Sequence, residues 1–332
     1  MIKCAVVGGG AWGTAIADLL RRNGHDVSLW AFEQDVAKSI SKHNENLRFL
    51  KGHKLAPGIR GSSDIASVVQ GAQIVVFATP SIVLRQMSRA AAPSVGAGVP
   101  VVVATKGIEQ GTHALMTDVV ASEIPQAPVV ALSGPSFAVE VVRCQPTAVV
   151  LASVDESVVK STQQIFNSPY FRTYSHSDVT GVELGGALKN VMAVATGVAD
   201  GLGLGFNARA ALITRGLAEM IRLGTSLGAE ASTFAGLAGL GDLVLTCTGS
   251  LSRNREVGVE VGKGKALADV LRGKETVAEG VVAAKSALEL ATKQGITMPI
   301  VEAVNRVLFD GQHPREAMGE LMTRELRAEA DR

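Results

Sequence analysis

The spacing of apolar and polar positions changes once along this 332-residue chain. Up to about residue 178, short runs with little charge, most of them rich in valine, isoleucine and alanine, alternate with stretches of helical spacing. Residues 2–7 form the first run. A helical face of Ile16, Leu19 and Leu20 follows, and residues 27–32 form the second run. Further runs lie at 74–78, 99–105, 129–132, 148–152 and 171–174. A helix opens at Ser81 and another lies at 158–166. Short apolar runs alternating with helices predict a parallel sheet covered on both faces. Beyond Asp178 the runs lengthen, and helices are predicted at 182–199, 208–227, 278–294 and 300–309. The pattern reads as an α/β domain over residues 1–180, then an all-helical domain over 181–332.

The first turn sharpens this picture. Residues 2–7 run into Gly8-Gly9-Gly10-Ala11-Trp12-Gly13, which contains Gly-x-Gly-x-x-Gly at Gly8, Gly10 and Gly13. Between a strand and a helix, the first glycine makes the turn. The second lets backbone approach a pyrophosphate, and the third lets helix lie on strand. The helix N-terminus then faces the phosphate charge. Glu33, twenty residues past Gly13, stands where an acid reaches a ribose hydroxyl. Glycine is abundant, with 36 residues, so the motif alone is weak; its placement predicts a Rossmann-type dinucleotide site. In such sheets ligands lie beyond the carboxyl ends of the strands. Lys106, Gly134 and Ser136 are predicted there.

The helical half holds the candidate chemistry. Lys189 and Asn190 lie among Gly185, Gly186, Ala187, Ala193 and Ala195, residues small enough for another element to come close. A lysine there is partly stripped of water, which lowers its pKa towards the range of proton transfer. The alternative is a packed stem whose ammonium reaches solvent. Asp242 is the one charge in a long apolar run, and an unpaired buried carboxylate is costly. Lys189 is its expected partner, and Thr246 shares its helical face. Ser252 is placed to cap a helix starting at Arg253 and Asn254, a suitable phosphate or carboxylate site. A solvated surface role is the alternative for Arg253.

Composition narrows the function classes. Thirty-two basic and 31 acidic residues give a net charge of +1, so neither nucleic acid nor a membrane surface is an expected partner. Three scattered cysteines, with no Cys-x-x-Cys or His-Glu-x-x-His, suggest no disulfide framework and no metal site. No apolar run reaches membrane-spanning length, and a cytoplasmic protein is expected. The six histidines fall outside the dense motifs, and no Ser-His-Asp or Cys-His arrangement appears. The residues together suggest hydride transfer involving a small phosphorylated or carboxylated alcohol.

The chain resembles NAD(P)-dependent sn-glycerol-3-phosphate dehydrogenases of the soluble bacterial biosynthetic type. The resemblance rests on Gly8 to Gly13, Ala104-Thr105-Lys106-Gly107, Ser133-Gly134-Pro135-Ser136, Gly185 to Val191 and Asp200-Gly201-Leu202-Gly203. It also rests on Asn207-Ala208-Arg209, Gly239-Leu240-Gly241-Asp242-Leu243 and Ser252-Arg253-Asn254-Arg255. It implies interconversion of glycerol 3-phosphate and dihydroxyacetone phosphate for phospholipid synthesis, in a homodimer using NAD or NADP. It implies Lys189 as the proton-transfer residue, with Lys106, Asp242, Asn190 and Thr246 in the catalytic group. Lys106, Gly134, Ser136, Asp242, Ser252, Arg253 and Asn254 would hold substrate. Trp12, Lys106, Ala138, Arg253, Val277 and Glu279 would line the cofactor, beside the glycine turn. Ala11 departs from the serine many members carry, losing a hydroxyl but not the backbone donors. Many bacterial members place an arginine after the Leu-Trp of the second strand. Here Leu29-Trp30 continues into Ala31-Phe32-Glu33-Gln34-Asp35. With Phe32 over the adenine and Glu33 on the ribose, NAD is the favoured cofactor; Arg48 and Lys51 remain candidates for a phosphate, and the alternative for Glu33 is a favourable charge at the start of the next helix that never meets the cofactor. A related β-hydroxyacid dehydrogenase is the alternative, but there an asparagine follows the lysine by four positions, whereas Asn190 follows Lys189 directly.

Overall fold

The computed structural model describes residues 1–274, 277–326 and 328–329. Its sheet has eight strands: β1 Lys3–Val7, β2 Asp26–Trp30, β3 Arg60–Ser62, β4 Ile74–Phe77, β5 Val101–Val103, β6 Val129–Ser133, β7 Thr147–Ala152 and β8 Phe171–His176. Their order is β3-β2-β1-β4-β5-β6-β7-β8. β1 and β4 are adjacent although helix Ala11–Arg22, β2 and β3 lie between them in sequence. The chain therefore reverses direction across the sheet at that pair, and a crevice opens at their carboxyl ends.

Two features of the sheet differ from the expectation. β7 pairs with β6 antiparallel, through Ala131↔Ala152 and Ser133↔Val150. The link between them holds only the short helix Ala138–Val142, too little to carry the chain back across the sheet for a parallel partner. β7 and β8 are parallel again, because helix Glu156–Phe166 makes that crossover. β3 was not anticipated either: Arg60-Gly61-Ser62 has no apolar alternation, and it forms the sheet's edge by pairing with β2. The second strand ends at Trp30, so Ala31 and Phe32 lie beyond it. Ser81 opens a 3-10 turn, Ser81–Val83, that leads into helix Leu84–Ala91.

The central strands are apolar where both faces are covered. Cys4 to Val7, Ile74 to Phe77 and Val101 to Val103 are all buried. Past Asp178 the structure is helical. Helix Val179–Gly201 is buried on all sides from Gly181 to Gly197, which makes it the axis of this half. Asp178 caps it by accepting from the Gly181 N–H at 2.8 Å. Packed against it are helices Phe206–Ser226, Asp242–Thr248, Arg253–Gly262, Glu279–Lys293 and Pro299–Phe309. Its glycines explain the close approach: a Cβ on Gly185 would meet the Ala238 carbonyl, and one on Gly186 would meet the Ser133 hydroxyl and the Lys106 stem. The centre of the helical half thereby touches the carboxyl ends of β5 and β6.

Candidate active site

The glycine turn has the form a dinucleotide needs. Gly8 has φ +134°, and a Cβ there would strike the Ala78 carbonyl. One on Gly13 would overlap the Gly8 carbonyl, so that helix and strand touch. Gly10 faces open space, where a phosphate can approach the backbone. It is the N-cap of helix Ala11–Arg22, and no side chain caps the free N–H groups. The indole Nε1 of Trp12 and Oγ1 of Thr79, at the end of β4, are buried without partners. Trp12 lies in the first turn of helix Ala11–Arg22 and Thr79 follows β4, and unpaired buried polar atoms beside the glycine turn fit a polar ligand. Glu33 occupies the N-cap position of helix Gln34–His43 but caps nothing with its side chain. Phe32 is 78% exposed beside it.

Facing this edge is a buried cluster of two lysines and one carboxylate. Lys189 is 7% exposed, so its ammonium does not reach solvent. It donates to Asp242 Oδ1 and to Thr246 Oγ1, the latter at 3.0 Å. Lys106 donates to Asp242 Oδ2 at 2.6 Å and to the Gly134 carbonyl at 3.2 Å. Thr246 Oγ1 donates to the Asp242 backbone carbonyl at 2.6 Å, one helical turn back. Asp242 thus bridges both ammonium groups and is the carboxylate whose cation the apolar run demanded. Burial brings the Lys189 pKa down to about 8; Asp242 opposes the shift and Lys106 adds to it. Burial pushes the Asp242 carboxyl up, but Lys106 and Lys189 outweigh it and hold it below its ordinary value.

The candidate anion site lies alongside. Its cap is Ser252, whose hydroxyl accepts from the Arg255 N–H at the start of helix Arg253–Gly262. Arg253 is exposed and makes no hydrogen bond or ion pair with the described residues. Asn254 Nδ2 donates to Asn190 Oδ1 at 2.9 Å, and Asn254 Oδ1 accepts from the Gly280 N–H at 2.9 Å. Asn190 therefore ties the lysine helix to the anion helix. Ser136 Oγ donates to the Gly134 carbonyl, the same oxygen that Lys106 contacts. Glu279 begins helix Glu279–Lys293 and accepts from Ser81 N at 3.1 Å and Ser81 Oγ at 2.6 Å. Val277 is half-buried just before it, and Ala138 begins helix Ala138–Val142 after β6.

The family model for the NAD-dependent glycerol-3-phosphate dehydrogenase N-terminus matches residues 3–159, and that for the C-terminus matches residues 178–319. The chain belongs to the NAD-dependent glycerol-3-phosphate dehydrogenase family. Glycerol-3-phosphate dehydrogenase [NAD(P)+] of Geobacter sulfurreducens is 52% identical over 98% of both chains. The one from Syntrophotalea carbinolica is 49% identical, covering 99% of this chain and all of its own. The crystal structure of glycerol-3-phosphate dehydrogenase from Coxiella burnetii matches with a TM-score of 0.93 at 38% identity, covering 97% of this chain and 99% of that one.

Several residues that shape the candidate site carry no signal in the sequence. Asn46 is fully buried; its Nδ2 donates to the Gly9 carbonyl and to Thr14 Oγ1, both at 2.8 Å, and props the glycine turn. It sits in a loop without pattern. Glu183, nearly two turns before Lys189, accepts from the N–H of Thr117 at 2.9 Å and from its hydroxyl. Ser81 had one available signal, its position just past the carboxyl end of β4. Among the described residues, no cluster of three or more metal-ligating side chains occurs, and no helix is long and apolar enough to cross a membrane.

Proposed function

We propose that the chain interconverts sn-glycerol 3-phosphate and dihydroxyacetone phosphate with NAD(P), and so supplies glycerol 3-phosphate for glycerophospholipid synthesis. The observation that carries this reading is the Lys189–Asp242–Lys106 bridge, which joins the carboxyl ends of the sheet to the lysine helix, whose Asn190 is bonded to Asn254 beside Arg253. The residues at the glycine turn fit a dinucleotide: Gly8, Gly10 and Gly13 shape it, and the N–H groups of Ala11 and Trp12 would take the pyrophosphate. NADH or NADPH, when bound there, would supply a hydride to C2 of the ketone. Lys189 gives its proton to the C2 oxygen, which becomes the alcohol, and takes it back in the reverse direction. Lys106 stabilises negative charge developing on that oxygen. Asp242 keeps both ammonium groups in place and lets two cations share one buried site. Arg253, Asn254 and the helix start after Ser252 bind the phosphate, with Gly134 and Ser136 at the other end of the substrate. Glu279, Val277, Ala138, Phe32 and Glu33 line the cofactor.

Residues 1–180 and 181–332 act in this reading as cofactor and substrate domains of a cytoplasmic homodimer. The test is absorbance at the reduced-nicotinamide band with purified protein and dihydroxyacetone phosphate. Substrate-dependent loss of NADH or NADPH, with sn-glycerol 3-phosphate as product, is expected. A folded protein that binds NADH but shows no such loss contradicts the assignment.

A further inference from the structure

The proton-transfer lysine and the anion site stand on different helices, so the distance between them depends on how those helices are joined. Lys189 is carried by Val179–Gly201, and Arg253 and Asn254 start Arg253–Gly262. The two helices touch through glycines from both sides. Gly197 faces the Arg255 carbonyl and Gly201 that of Val259; Gly258 faces the Val194 carbonyl and Gly262 that of Val198. A methyl group at any of these four positions would overlap the oxygen opposite, so the backbones are already at contact. This fixes the separation of the helices but does not stop one from sliding along the other.

Asp200 supplies the missing constraint. It lies in the last turn of the lysine helix and is itself largely buried. Its Oδ2 accepts from Arg255 Nε at 2.8 Å and Nη2 at 2.6 Å. Its Oδ1 accepts from both Arg209 Nε, at 3.0 Å, and Arg209 Nη2. Arg209 belongs to helix Phe206–Ser226, so one carboxylate locks three helices. Arg255 is two residues beyond Arg253, so the grip falls on the first turn of the anion helix. Two-nitrogen guanidinium contacts of this kind specify geometry as well as energy. In the same turn, Asn254 meets Asn190, the neighbour of Lys189. A slip by one helical residue would move the anion site about 1.5 Å along the axis, comparable with the lengthening of a substrate by one methylene.

We propose that Asp200, Arg209 and Arg255 are positioning residues which, with the glycine contacts, set the span from Lys189 to Arg253 and so select phosphates of three-carbon ketones over longer ones. The proposal rests on the function above and adds what enforces substrate length. None of the three side chains hydrogen-bonds to the Lys189–Asp242–Lys106 cluster.

Asp200→Asn keeps the shape of the side chain and removes its charge; Arg255→Lys keeps a cation but loses the two-nitrogen grip. Both are assayed for kcat and KM on dihydroxyacetone phosphate and on its homologue with one more methylene between carbonyl and phosphate. NADH affinity is measured separately by fluorescence. Wild type is expected to prefer the shorter ketone by about 10- to 200-fold, the range one methylene commands. In the variants KM for the shorter ketone rises, the preference shrinks severalfold, and the NADH Kd stays at its wild-type value. If a variant that binds NADH normally loses activity on both ketones equally, the spacer is overturned. Should Asp200→Asn fail to fold, Arg255→Lys decides alone by the same ratio. Wild-type turnover of dihydroxyacetone phosphate tests the underlying function, so the two failures are told apart.

Discussion

Lys189 is buried and cationic, and one carboxylate makes this tolerable. Without Asp242 two ammonium groups would face each other out of water, which costs far more than a surface contact of like charges. With it, burial still wins, and the Lys189 pKa sits at about 8 instead of 10.5. A proton donor is needed for ketone reduction and a proton acceptor for alcohol oxidation. The kcat/KM profile reports the free enzyme. Reduction is therefore expected to hold at low pH and fall as pH rises through about 8, while oxidation rises through the same region. Limbs running in the same direction would contradict the role. The proposed cofactor preference also rests on single residues. Placed at the ribose, Glu33 would repel a 2′-phosphate where an arginine would bind one. The nearby cavity of about 550 Å³ places Arg48 and Lys51 together with Asp35, so those cations share the space with an acid. NADH is expected to exceed NADPH in kcat/KM, and Glu33→Ala to narrow the gap. Side-by-side assays at one salt concentration that show a native preference for NADPH would refute this.

At the scale of elements, the position of helix Val179–Gly201 against the sheet depends on groups far apart in sequence. Glu183 holds the start of helix Met116–Glu123 through Thr117. Burial raises the Glu183 pKa from 4.5 to about 7, and the Thr117 bonds only partly oppose this. Glu219, holding the start of helix Pro299–Phe309 through the Ile300 N–H at 2.7 Å, is raised to about 7 as well. A raised carboxyl stabilises the fold fully below its unfolded pKa and loses that contribution as pH rises through the folded value. For Glu183 the window runs from about 4.5 to about 7, and the effect is on the order of 3 kcal/mol. Between pH 5 and 8, Glu183→Gln should lose less Tm than wild type in thermal melts; parallel curves would show that Glu183 does not titrate in that window. Such clips leave no trace in a single sequence, since Thr117 and Glu183 fall in unrelated segments. The strands were legible because an uncharged run such as 74–78 is too short for a buried helix and too apolar for a loop. β3 was not, because Arg60-Gly61-Ser62 reads as a turn, and the reversed direction of β7 depends on how little helix lies between it and β6.

Across the whole molecule, the sheet and the helical half are joined by carboxylates of the helical half on donors of the sheet half. Glu183 takes Thr117, Glu279 takes Ser81, and Asp242 takes Lys106. The last of these is the candidate active site itself, so the reacting groups assemble only when both halves are in register. The pairing of Asp242 with Lys189 was legible because a lone carboxylate in an apolar run demands a cation. The link from Asn190 to Asn254 was not, because neither residue's surroundings announce a partner. In the proposed mechanism Lys189 is the group that moves the proton, and Asp242 ties it to Lys106 of the sheet half. The most direct measurement is single-turnover and steady-state kinetics of Lys189→Ala with dihydroxyacetone phosphate, alongside NADH binding by fluorescence. kcat is expected to fall by about a hundredfold to ten-thousandfold with the NADH Kd unchanged. Near-normal turnover in that variant would contradict the proton-transfer role.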